Sequence, residues 1–139
     1  MSLSHFTFSG TTYEQGLAHG EALKESIIKN IEIDVNRFEN EAGISKNELL
    51  ENSGIYLNIL REQNPEYVNG MNGIAESSNI ELLEIAMLNL RFELLYHALG
   101  KKLQSEAVDG CTSFAVLPEA VENKHLLMGQ NWDWIPDVD

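Results

Sequence analysis

Two stretches decide the fold class: Cys111-Thr112-Ser113-Phe114-Ala115-Val116-Leu117-Pro118, and His125-Leu126-Leu127-Met128-Gly129-Gln130-Asn131-Trp132-Asp133. The first is a short β-rich run closed by proline, and the polar stretch Glu119 to Lys124 separates it from the second. Two such runs around a short loop predict an antiparallel β-hairpin. Both faces of each strand carry apolar side chains, so the parent sheet is expected to be covered on both sides. A lone hairpin cannot supply that sheet. A turn centred near 121–122 makes paired residue numbers sum to 243 or 244, which sets Cys111 opposite Trp132 or Asp133.

Working back from that hairpin, the first 110 residues read as helix. Thr11 and Thr12 each offer a capping box, to Glu14 and Gln15, ahead of a long stretch with apolar residues near a 3.6-residue repeat. Leu17, Leu23, Ile27, Ile31, Val35 and Phe38 mark its apolar face, and Gly43 stops it. Ser45 and Glu48 form the box of a second helix, and Asn64 caps a third with Pro65 in its first turn. Ser78 and Glu81 are read as the cap of a fourth, running to about Gly100. Its apolar residues, among them Leu83, Met87, Leu90 and Leu94, cover nearly every direction around the axis, so it is expected to be buried on several sides. The expected partner is a face of the sheet.

Charge and composition narrow the function classes. The chain has 139 residues, 22 acids against 9 bases and a net charge of −13, with 17 of the acids before residue 111. Such a charge repels phosphate backbones and anionic lipid, so neither nucleic acid nor membrane is expected as a partner. Hydrophobic residues at 43% are enough for a core and too many for a disordered acidic tail. No apolar run approaches the ~18 residues of a membrane span, and the N-terminus lacks the pattern of a secretory signal. The expected location is the cytoplasm. One cysteine excludes an intrachain disulfide and a Cys-rich zinc site, and no His-x-x-x-His pair is present. No metal or organic cofactor is expected.

Cys111 is the main candidate for chemistry. A single cysteine at a strand start is ordinarily a small buried hydrophobe. Here Gly110 precedes it, permitting close backbone approach, Asp109 adds a carboxylate, and the hairpin register brings Asp133 to the same end of the sheet. Asn131 is a candidate hydrogen-bond donor in that neighbourhood. Arg91 and Glu93 stand on an otherwise apolar helix, where structural bracing is the expected role. His19 reads as a packing or capping residue, His97 as a helix C-terminal residue, and Glu21, Glu25 and Glu32 as solvated surface.

Asp109-Gly110-Cys111-Thr112 followed by Gly129-Gln130-Asn131-Trp132-Asp133 resembles the acyl-coenzyme A:6-aminopenicillanic acid acyltransferase family, also called peptidase family C45. Gly10-Thr11-Thr12-Tyr13-Glu14-Gln15-Gly16-Leu17-Ala18-His19-Gly20 and Leu88-Asn89-Leu90-Arg91-Phe92-Glu93 are similar to two further segments of that family, in the same order. The family belongs to the N-terminal nucleophile hydrolases and their αββα sandwich. The resemblance implies an α+β fold, in which residues 1–110 match the helical α-subunit and residues 111–139 begin the β-subunit, the rest of it absent. It implies a precursor that cuts itself between Gly110 and Cys111, freeing Cys111 as the nucleophile, with Asp133 positioning that end of the site. The implied partners are a small amide or acyl-CoA substrate and the remainder of the β-subunit. The implied reaction carries an acyl group on a Cys111 thioester to water or an amine. The competing reading is a non-enzymatic acidic helical interaction module with Cys111 in its core.

Overall fold

A computed structural model of the protein describes residues 5–103 and 111–132, the side chains of residues 98–103 excepted. The described residues form six α-helices and a two-stranded antiparallel hairpin, an α+β arrangement. They belong to two compact units, Met1–Gly100 and Lys101–Val138. Among the described residues no helix is long and apolar enough to cross a membrane.

In the first unit, α1 (Thr12–Ala22) starts where the sequence places it. Thr11 is the N-cap: its hydroxyl accepts from the Glu14 amide at 3.2 Å, and the Glu14 carboxylate accepts from the Thr11 amide at 2.8 Å. The alternative box at Thr12 does not form, because Gln15 Nε2 donates to the Gly10 carbonyl at 2.8 Å. The long periodic stretch is two helices, broken at Leu23 (φ −121°, ψ 18°), with α2 spanning Lys24–Arg37. The halves bury against different neighbours, α1 on α4 and α2 on α5. Each half keeps its own apolar face. A π-helical turn, Phe38–Ala42, follows α2 and ends at Gly43, whose φ of 69° is the left-handed conformation that glycine adopts without penalty.

The next two caps also form as read. Ser45 accepts from the Glu48 amide at 3.4 Å at the start of α3 (Lys46–Gln63). Asn64 accepts from the Tyr67 amide at 3.2 Å ahead of Pro65, the first residue of α4 (Pro65–Ser78). The Ser78–Glu81 box does not. Ser78 is the last residue of α4, fully buried, and its hydroxyl donates to the Ile74 carbonyl at 2.6 Å. Asn79 turns left-handed (φ 55°) and closes α4, with the Ile80 amide reaching back to the Ala75 carbonyl at 3.1 Å. Glu81, extended and without a side-chain cap bond, precedes α5 (Leu82–Asn89).

The all-round apolar segment is likewise two helices, α5 and α6 (Arg91–Leu103), separated at Leu90 (φ −105°, ψ 8°). Other helices of the chain contribute to burying it, against the expectation that only a sheet face could, since α2, α3 and α4 all pack against α5. Ile85, Ala86, Met87, Leu90 and Leu94 are at most 7% exposed and join Ile31, Leu49, Leu57, Val68 and Met71 in one core. Leu83, expected on the buried face, is exposed at the rim near Gly54. His97 lies within α6 rather than at its end.

The tightest packing is backbone to backbone, where α1 crosses α4. A Cβ on Gly16 would collide with the Gly70 carbonyl, one on Gly73 with the Tyr13 carbonyl, and one on Gly20 with the Ile74 carbonyl at 2.5 Å. Side-chain ties flank the crossing: Thr12 Oγ1 donates to Glu66 Oε2 at 2.7 Å, and Tyr13 Oη to Glu76 Oε2 at 2.5 Å.

In the second unit, β1 (Thr112–Val116) pairs with β2 (Leu127–Asn131), from Thr112 opposite Asn131 to Val116 opposite Leu127. The paired numbers sum to 243, one of the two expected registers. The loop contains a short 3-10 turn at Pro118–Ala120. Phe114 lies across from Gly129, and its ring fills the place of the missing side chain: a Cβ there would meet ring carbons at 2.5 Å.

These contacts separate otherwise similar substitutions. Gly73→Ala should lower stability by about 1–3 kcal/mol through overpacking against α1. At Gly70, where a Cβ would sit 3.6 Å from the Thr12 carbonyl in ordinary contact, alanine should be neutral or gain up to about 1 kcal/mol from helix propensity. Urea unfolding midpoints of the two variants test the crossing, and equal losses would show that it is not tight.

Candidate functional site

Cys111 is exposed and stands immediately before β1. Its neighbour Thr112 is paired with Asn131, and continuing the ladder by one residue sets position 111 across from Trp132. Asp109, Gly110 and Asp133 lie outside the described residues. The hairpin itself presents Phe114, Leu127, Met128 and Trp132 as exposed side chains, Met128 at 75% and Trp132 at 61%. Period-2 alternation distributes them over both faces: Phe114 and Leu127 share one face with Asn131, and Met128 falls on the other. The two-faced apolar pattern read from the sequence is therefore present in the folded hairpin.

Arg91 opens α6 and is half-buried. Its Nη1 donates to the Leu88 carbonyl at 2.9 Å across the α5–α6 break, and its guanidinium lies 5.1 Å from the centre of the Phe92 ring. Its field also reaches Asp34 of α2, which is only 3% exposed. Burial raises the Asp34 carboxyl above its ordinary value of 3.8, and the attraction of Arg91 and Arg37 works against that rise. The bond to Leu88 ties the start of α6 to the end of α5. Glu93, two residues on from Arg91, is exposed. Asp34 was not singled out in the sequence, where it looks like one more acid on an amphipathic helix. Its position on the same face as Ile27 and Ile31 was the available signal.

His19 is a packing residue. Its ring stacks on Phe8 with centroids 5.7 Å apart and planes within 10°, and burial lowers its pKa from 6.5. Glu21, Glu25 and Glu32 are exposed, as their polar helix face implies. Among the described residues, no three His, Cys, Asp or Glu side chains gather as metal ligands.

No family model matches the chain. The chain is 32% identical over 131 residues to the acyl-coenzyme A:6-aminopenicillanic-acid-acyltransferase 40 kDa form of Emericella nidulans, which covers 94% of this chain and 34% of that protein. The chain therefore spans about a third of the length of the curated relative it matches. It is related to an acyltransferase along nearly all of its own length.

The Asp34 environment sets a pH dependence. A carboxyl with a raised folded-state pKa holds its proton more tightly when folded. Its contribution to stability is present below 3.8 and declines as the pH rises from there through the raised value. Melting temperatures of wild type and Asp34→Asn, compared from about pH 3.5 to about pH 7, should diverge against wild type with rising pH. A difference that does not change with pH rejects this assignment.

Proposed function

We propose that the chain is the N-terminal part of a cysteine amidohydrolase or acyltransferase that matures by cutting itself between Gly110 and Cys111. Residues 1–110 would form the helical subunit, and residues 111–139 would open the catalytic one. The observation that carries the proposal is the exposed thiol of Cys111 at the head of an antiparallel hairpin, in a chain related to an acyltransferase over 94% of its length.

The chemistry is internally consistent. Only a thiolate attacks well, and an ordinary cysteine has a pKa of about 8.5. A freed α-amino group, with a pKa of about 7.7–8, takes the thiol proton from within the same residue. Before the cut that nitrogen is an amide and cannot act as base, so scission also activates the nucleophile. Cys111 Sγ then attacks an amide or acyl-CoA carbonyl, the amine or CoA leaves, and water or an amine resolves the thioester. Asp133 would orient the Cys111 end of the site, with Asp109 and Asn131 in support. A small-molecule substrate and the rest of the catalytic subunit are the partners in this reading, and the cytoplasm is its location, where the thiol stays reduced.

Intact-mass analysis of the full-length protein tests this directly. Two fragments broken before Cys111 are expected for wild type and an uncut chain for Cys111→Ala, with an acyl adduct on Cys111 after exposure to acyl-CoA. A wild-type protein that stays whole and takes up no acyl group overturns the proposal. Residues 1–139 alone should turn over simple amides poorly, each missing oxyanion donor being worth about 2.7–4 kcal/mol of transition-state stabilisation. Turnover by the 139-residue chain at the full-length rate would contradict that.

A further inference from the structure

A cleft of about 330 Å³ opens in the helical unit beside the α1–α4 crossing, with Phe8, His19, Glu66, Tyr67, Met71 and Ile74 among its lining. That volume lies at the lower end of the roughly 300–1,000 Å³ of small-molecule sites. Gly16 and Gly70 also line it, so the crossing contributes backbone where side chains would otherwise fill the space.

The polar groups of the cleft are held in place by their neighbours. Thr12 Oγ1 donates to Glu66 Oε2 at 2.7 Å, which fixes the carboxylate and leaves it further acceptor positions. The Tyr67 hydroxyl donates to Asn89 Oδ1 at 2.8 Å, so its oxygen remains an acceptor. His19, stacked on Phe8, is shifted by burial toward its neutral form and so keeps one acceptor nitrogen. Neither lysine nor arginine lines the cleft. A fixed carboxylate, further acceptors, the rings of Phe8 and Tyr67 and the apolar surface of Met71 and Ile74 match a cation carried on an apolar body.

We propose that this cleft binds a small alkyl- or arylalkylammonium ion, with the ammonium group at Glu66 and the apolar body over Met71, Ile74 and Phe8. The site stands independently of the Cys111 reading.

The test titrates the 139-residue chain with phenethylammonium and follows the backbone amide resonances of Gly16 and Gly70. 2-Phenylethanol, of similar shape and uncharged, is the comparison. Saturable shifts at both glycines are expected, with the alcohol binding at least about tenfold more weakly because a charge-assisted hydrogen bond is lost. Glu66→Gln should weaken ammonium binding by about tenfold. The proposal is overturned by equal binding of amine and alcohol, by shifts absent from Gly16 and Gly70, or by a folded Glu66→Gln that binds the ammonium ion as wild type does. If Glu66→Gln proves misfolded, the comparison of amine with alcohol on wild type decides alone.

Discussion

The helical unit depends on the direct approach of two backbones, α1 against α4 at Gly16, Gly20 and Gly73. No side chain fits between them, so the helices are positioned by main-chain contact rather than by interdigitating apolar groups. The consequences spread outward. With α1 held this close, Thr12 and Tyr13 reach Glu66 and Glu76 across the crossing. The same α4 also packs against α3 and α5. Packing density in such a contact is high, and one methyl group is enough to disturb it.

Around this pair the core is conventional in composition but divided in an informative way. α5 is short and largely apolar, with α2, α3 and α4 packed against it, and across the break Leu90, Leu94 and Leu95 stay buried. Arg91 sits at that break, where its Nη1 donates to the Leu88 carbonyl.

The hairpin follows different physics. Its register is fixed by side-chain alternation and by the fit of Phe114 over Gly129, and its apolar side chains remain largely exposed in this chain. Cys111 is set at the open end of the ladder, beyond the last paired residues.

Local features were legible in the sequence because the interactions that make them span only a few residues. The capping residues Thr11, Ser45 and Asn64, the stop at Gly43 and the strand pair with its two allowed registers all belong to this group. Cys111 stood out by its neighbours, and the four motifs pointed to an acyltransferase relation that the comparison with the Emericella protein supports at that coarse level. The tertiary structure decided what those local rules leave open. Whether Ser78 caps a new helix or ends the old one, and where the periodic stretches break at Leu23 and Leu90, depends on which neighbour each turn is buried against. The burial of Asp34 and the cleft beside Gly16 and Gly70 arise from residues tens of positions apart. Sequence periodicity records that a face is apolar, while only packing determines which face of which helix covers it.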